Sequence, residues 1–393
     1  MKVARIETFA LNLPFVTRVA HHMQRASTHG ERLYVCRLTT DTGIVGYGEG
    51  QSSDAQIARV VGRTPFDFLM DDTVGPGIQM ALYDAIGKAE KVPVYRLLGP
   101  KVRDRCPISW WAIDMPPEDW AAEAAEAVRL GYTSFKLKAR PWRDIFEQVE
   151  AVSKVVPPNF KLDVDFNSFL LNAGNAIPIL RELERQNNVS IFETPIPQTD
   201  VEGYKQIRNR INRPISIHFG QPPIMTALRE EVCDGFVIGG NAESVLRQAT
   251  LAAEANKPFW LQMVGTGITT AFALHLGAVL SHAQWPAITC HELWENDLLK
   301  TRLEVQDGYL HVPETPGLGV EIDEEAIDRY RVEEDEPTPK EEYLKQRRVL
   351  RIRWPDGRTW CYTSEAAYQQ AFSAGSMPLF ERGVTLEVIE DDK

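Results

Sequence analysis

Three short segments in fixed order carry the residues best suited to chemistry: Lys136-Leu-Lys138, Asp163-Val-Asp165-Phe-Asn167 and Phe192-Glu193-Thr-Pro-Ile-Pro197. Each closes a short apolar run and puts a charged group where a strand should give way to a loop. Paired lysines followed by carboxylates on successive strand ends are the ingredients of an acid/base site beside a divalent cation. Close charges shift one another's pKa values, and carboxylate oxygens are the ligands Mg²⁺ prefers. The plain alternative is a salt-bridge network of lysines neutralising acids. Asp163 lies one strand period from Asp165, so it shares that side of its strand and competes for any ligand role.

The elements around these segments repeat. From Pro107 onward, short apolar runs (ISWWAI, SFKLKA, FKLDVDF, VSIFETP, PISIHF, GFVIGG, PFWLQMV, AITCHEL) alternate with amphipathic stretches such as PEDWAAEAAEAVRLG and ESVLRQATLAAEA. About eight serial strand–helix units predict a closed parallel barrel, whose chemistry sits on the loops after the strands. A doubly wound sheet is the alternative, but no Gly-x-Gly-x-x-Gly follows the first strand. Residues 1–50 alternate as strands, with a hairpin at Asp41-Thr-Gly43, while 16–31 read as a polar loop. Pro76 opens a helix-spaced stretch over 76–90. Residues 335–393 form an appendage: a charged linker, EEDEPTPKEE, then two strands around Pro355-Asp-Gly357, a short helix and a last strand.

The chain has 393 residues, 44% of them hydrophobic, enough for a sizeable core and two domains. A net charge of −12 argues against nucleic acid as a partner. Five scattered cysteines (36, 106, 233, 290, 361) form no C-x-x-C pair and read as buried thiols of a reducing compartment. No signal-like start and no run long enough to span a membrane are present, so a cytoplasmic protein without a membrane partner is expected.

With these passages in order, the chain resembles the enolase superfamily, within it the mandelate racemase and muconate lactonizing enzyme group, over residues 1–330. ALYDAIGKAEKVPVYRLLGPKVRDR (81–105) resembles the exit from the family's capping domain, FKLK the Lys-x-Lys of its second barrel strand, and DVDFN and FETPIP its metal-ligand strands. DGYLHVPETPGLGVEID (307–323) resembles its closing segment. The resemblance implies a (β/α)-barrel (residues 106–320) with an N-terminal α+β capping domain (1–105). A return segment (321–334) and the small C-terminal α+β appendage (335–393) complete the plan. It implies a small-molecule carboxylate substrate, a Mg²⁺ ion held by Asp165 and Glu193, and removal of the proton alpha to the carboxylate by Lys138, its pKa lowered by Lys136. Family habit implies a homo-oligomer.

Departures from the family pattern are as informative. Strand five reads Pro214-Ile-Ser-Ile-His218, so a histidine stands at or next to the third ligand position. Imidazole is a poor ligand for Mg²⁺ but suits Mn²⁺ or Zn²⁺ better, so either the metal preference has changed or the site holds no metal. Where the family places a second base, strand six ends in Gly239 and strand seven in Gly265, without lysine or histidine. A two-base racemase is therefore disfavoured, and a one-base dehydratase, cycloisomerase or epimerase remains. The rival reading is a barrel that kept the fold, lost the chemistry, and binds carboxylates or acts as a scaffold. Strand eight offers His291 and Glu292; neighbours on a strand point opposite ways, so only Glu292 is expected to face substrate. His21 and His22 lie in the loop that resembles the family's specificity loop, His275 reads as a packing residue, and Trp110-Trp111 as barrel packing. Val264-Gly-Thr-Gly267 offers an anion cradle at a helix start, or simply the family's strand-seven exit.

Overall fold

Strand β1 (Val3–Asn12) buries Val3, Ile6 and the run Phe9–Leu11, and pairs antiparallel with β2 (Arg32–Thr40), which pairs with β3 (Val45–Glu49) through the turn at Gly43. β3 carries glycine at every second position because the helix Pro76–Ala89 lies directly on it. A Cβ on Gly48 would stand 2.1 Å from the carbonyl oxygen of Gly77. This structure is a computed structural model, and it describes residues 1–26, 29–346 and 348–390. By packing, the chain divides into two bodies: residues 1–16, 30–109 and 237–338 form one, and 17–29, 110–236 and 339–393 the other. The appendage therefore packs as part of the second body.

In the second body, β5 (Trp110–Ala112), β6 (Ser134–Lys138), β7 (Lys161–Asp165), β8 (Val189–Glu193) and β9 (Ile215–His218) pair in parallel, in chain order, each followed by a helix. β10 (Gly235–Ile238) continues the order and carries the chain into the first body. There the Gln262 N–H, just after β11 (Phe259–Leu261), bonds the Ile238 carbonyl at 2.8 Å. Ala287 and Ile288 supply the eighth rung, bridging Ile108 and Gln262, so the eighth predicted strand is reduced to isolated bridges. The first body also holds the short pair β4 (Arg105–Pro107) and β12 (Tyr309–His311). The result is the (β/α)-barrel plan. The run of βα units explains it: the strands are buried on both faces, and helices such as Pro117–Arg129 and Ala242–Glu254 bury one stripe against them.

In the appendage, β13 (Arg348–Arg353) lies between β14 (Thr359–Tyr362) and β15 (Thr385–Glu390), both antiparallel to it. Leu350, Ile352, Trp354, Tyr368, Phe372 and Leu386 form its core together with Trp142, which comes from the loop after β6. Three local expectations change. The segment read as a loop over 16–31 contains a helix, Ala20–Ala26, and the charged linker contains another, Pro339–Lys345. Cys361, on β14, is exposed, whereas the other four cysteines are buried. No helix among the described residues is long and apolar enough to cross a membrane.

Candidate functional site

Register places the charged residues. Lys138 pairs with Asp165 across β6 and β7, and Asp165 with Glu193 across β7 and β8, so the three end adjacent parallel strands in one row. Strands lie about 4.8 Å apart, so such a row brings its side chains within contact distance. Lys138 Nζ donates to Asp165 Oδ2 at 2.5 Å and to Asn167 Oδ1 at 3.1 Å. Lys136 Nζ stands 2.5 Å from Glu193 Oε2 and 3.5 Å from Asp165 Oδ2. The backbone N–H of Asn167, a residue with φ of 43°, holds the other Asp165 oxygen at 2.9 Å.

Burial sets the electrostatics. Asp165 and Glu193 are completely buried and Lys136 nearly so. Burial lowers the Lys138 pKa, and the charges of Lys136 and Arg140 lower it further, against the opposite pull of Asp165 and Glu193. The effect expected from Lys136 is present, but desolvation is the larger cause. Asp165 is held below the usual carboxylate range: the two lysines outweigh its burial. Asp163, one strand period deeper and level with Lys136, behaves oppositely, with burial pushing it up to about 7.

His218 ends β9 with its Nε2 3.3 Å from Glu193 Oε1, and its backbone N–H donates to Gln198 Oε1 at 2.5 Å. Neither Glu193 oxygen has a partner in hydrogen-bond geometry; Lys136 and His218 contact it only as ion pairs. A buried carboxylate whose oxygens meet only ion-pair partners, beside Asp165 and an imidazole, has the donor chemistry to hold a divalent cation. Among the described residues, however, the trio with ligand atoms within 4.8 Å of one another is His21, His22 and Asp119. Asp165, Glu193 and His218 do not converge so closely, and lysine ammonium groups stand on both carboxylates.

The remaining singled-out residues resolve as follows. His22 Nε2 meets Asp119 at 2.8 Å, and burial drives its pKa to about 2. His29, not singled out by the sequence, lies edge-on to Trp111, 5.1 Å between ring centres. Burial and the charges of Lys138 and Lys136 lower its pKa to about 4, so it is a neutral imidazole near the lysines. Trp110 is packing, its Nε1–H bonded to Glu123.

In the first body, His275 bonds the Leu318 carbonyl and accepts from the Tyr95 N–H, a packing role as expected. Gly239 and Gly265 have no room for the missing second base. A Cβ on Gly239 would lie 2.7 Å from the Gln262 carbonyl oxygen, and one on Gly265 would lie 2.4 Å from Thr269 Oγ1. The cradle at Val264–Gly267 already holds an anion of this chain. The buried Glu49 carboxylate accepts from the N–H and hydroxyl of both Thr266 and Thr269 at the start of helix Gly267–Val279. His291 and Glu292 do not alternate across a strand, contrary to expectation. Cys290 is left-handed (φ 58°), residues 291–293 form a 3₁₀ turn, and both side chains are buried, 3.5 Å apart.

A barrel with a lysine pair and two buried carboxylates ending successive strands defines a class of enzymes. The family model described as enolase C-terminal domain-like matches residues 119–326. The chain belongs to the enolase superfamily, in its mandelate racemase and muconate lactonizing enzyme group, and is an isomerase or lyase of it. It is 26% identical to an N-succinyl-L-Arg/Lys racemase of Bacillus cereus, over 85% of this chain and 99% of the relative. A D-xylonate dehydratase of Haloferax volcanii is 28% identical, over 76% of this chain and 85% of the relative. The muconate cycloisomerase 1 of Pseudomonas putida is 26% identical, over 84% and 98%. The solved structure of muconate lactonizing enzyme from Pseudomonas fluorescens superposes with a TM-score of 0.71, at 23% identity over 84% of this chain and 99% of that one.

Proposed function

We propose that this protein removes the proton alpha to the carboxylate of a small acid, with Lys138 as its general base. The observation that carries the reading is Lys138 itself: a desolvated amine at a strand end, in one row with two buried carboxylates. A base works best with a pKa near the working pH, and burial moves a lysine in that direction. Lys138 Nζ takes the α-proton, the C–H bond breaks, and its electron pair passes toward the substrate carboxylate. Asp165 and Glu193, with His218 beside them, would hold a divalent ion, Mg²⁺ by family or Mn²⁺ or Zn²⁺ if the imidazole is a ligand. When bound, that ion would supply electrostatic stabilisation of the enolate. Lys136 stays paired to Glu193 and adds positive charge beside the base.

With glycine at both usual positions of a second base, the Lys138 ammonium returns its proton to the face it came from or hands it to a leaving group there. Those outcomes are a dehydration, a cycloisomerisation run in either direction, or a one-base exchange. Glu292 is proposed as a hydrogen-bonding group for substrate oxygen. The test is a panel of carboxylic acids incubated with protein and Mg²⁺ in D₂O, read by proton NMR. Exchange or conversion of one acid, lost by at least about 10³-fold in Lys138→Ala, supports the reading. Ion binding lost in Glu193→Gln, read by calorimetry on metal-stripped protein, supports the ion's place. Failure of every ion to bind would leave a carboxylate-binding barrel without this chemistry.

A further inference from the structure

Four residues past the start of the lysine pair, Arg140 is 8% exposed, and among the described residues no carboxylate lies within 4 Å of it. Its buried neighbours differ: Arg25 and Arg143 both reach Asp114, at 2.8 and 3.6 Å. Arg140 is held by uncharged groups. Nη1 donates to the Ala139 carbonyl at 2.8 Å and Nη2 to Asn167 Oδ1 at 3.0 Å, and the Phe169 ring centre lies 5.0 Å from Cζ. A guanidinium has five N–H donors, so most of this one's capacity is unspent. A desolvated charge without a contacting counter-ion is costly, and Asp114, Asp165 and Glu365 offset this one only from beyond contact distance.

The location says which anion. Asn167 Oδ1 accepts from both Lys138 Nζ and Arg140 Nη2, so the general base and the guanidinium stand within about 6 Å of each other across that shared oxygen. The two lysines and Arg140 make three cations at these strand ends, against Asp165, Glu193 and, one strand period deeper, Asp163. His218, rather than a carboxylate, follows on the next strand. A single substrate carboxylate is already committed to the reacting end.

We propose that Arg140 anchors a second anionic oxygen group of the substrate, so that the acids taken by this site are short dianions. The guanidinium fork matches a carboxylate or a phosphate with two parallel hydrogen bonds. The inference rests on the reading that Lys138 faces the reacting carbon, since it is the distance to Lys138 that makes the dianion short. Its own test is binding, not turnover.

C4 to C6 dicarboxylates, their monoamides and the matching phosphono-acids are titrated calorimetrically, with Mg²⁺ present, into wild type, Arg140→Gln, Arg140→Lys and Lys138→Ala. In wild type at least one dianion should bind about tenfold or more tighter than its monoamide. Arg140→Gln should bring the two within about twofold while Mg²⁺ still binds, and Arg140→Lys should retain part of the preference. The phosphono-acids show whether the second group is carboxylate or phosphate. Absence of any dianion preference in wild type, or its survival in Arg140→Gln, overturns the proposal. If the preference is Arg140-dependent, persists in Lys138→Ala, and no acid exchanges deuterium in wild type, then the proton-abstraction reading has failed and the anchor stands.

Discussion

Lys138 and Asp163 show how one physical cause gives two chemistries. Burial always disfavours the charged form, so it lowers the pKa of a lysine and raises that of an aspartate. For Lys138 the result is a better base. For Asp163 it is a carboxyl pushed up to about 7, because the charge of Lys136 does not offset its complete desolvation. The linkage follows with a definite sign. Below the unfolded value near 3.8, Asp163 is protonated in folded and unfolded chains alike and has no effect. As pH rises from there through about 7, the unfolded state loses its proton first, so folding is progressively penalised. Asp163→Asn, which mimics the neutral carboxyl, should therefore stabilise the protein at pH 8 relative to wild type and change little at pH 4. Denaturant unfolding at the two pH values checks this; an equal effect at both would mean that Lys136 keeps Asp163 ionised in the fold.

At the scale of elements, glycine and capping choices decide what the barrel mouth can hold. Gly239 is packed against the backbone of Gln262, so even Gly239→Ala should cost about 1–3 kcal/mol through overpacking. Glu49 terminates β3 and caps helix Gly267–Val279 from across more than two hundred residues of chain. Glu49→Ala leaves the Thr266 and Thr269 donors buried without an acceptor and removes a negative charge from a helix start. A loss of about 2–4 kcal/mol is expected, with Glu49→Gln losing less. Chemical denaturation of both variants measures it, and a neutral Glu49→Ala would show that the helix start hydrates instead.

The same scale explains what was legible in the sequence. Lys138, Asp165 and Glu193 were readable because strand periodicity and short turns are local, and each ends its own strand. The helix Ala20–Ala26 was not, because AHHMQRA has no helical stripe; its Arg25 is fixed by Asp114, 89 residues on, and by Tyr368, 343 residues on. Residues 291–293 read as a strand end because nothing local announces the left-handed Cys290. Gln198 and Arg140 carry no signal, since their contacts are made to His218 and Asn167, at or beyond the ends of other strands.

At the scale of the molecule, the question is whether residues 339–393 are a detachable module. The Bacillus cereus relative is matched over 99% of its length by only 85% of this chain, so the fold is complete there without an equivalent of every segment. Here the appendage is built into the second body. Its core contains Trp142, fully buried four residues after Lys138, and Phe169 packs against it two residues after Asn167. Polar ties follow the same loops: Arg143 donates to the Leu386 carbonyl at 3.0 Å, and the Gly383 N–H to Asp144 Oδ2 at 2.6 Å. The Tyr368 hydroxyl meets Arg25 at 2.6 Å, with Glu365 3.4 Å away. Truncation after Thr338 would expose Trp142 and Phe169 and open the Arg25–Asp114–Arg143 cluster to water on one side. The prediction is that the truncated chain does not yield a soluble protein with a cooperative transition. Arg25→Ala, which leaves the appendage core intact, should remain folded but lose about 3–5 kcal/mol, because Asp114 loses its closest cation and keeps only the weaker pull of Arg143 and Arg140. Denaturant melts of both, with limited proteolysis of residues 17–29 as a second readout, separate the two effects. A truncated protein that melts like the full chain would show that Trp142 and Phe169 repack without the appendage, and that its place beside the loops of Lys138 and Asn167 is incidental to the fold.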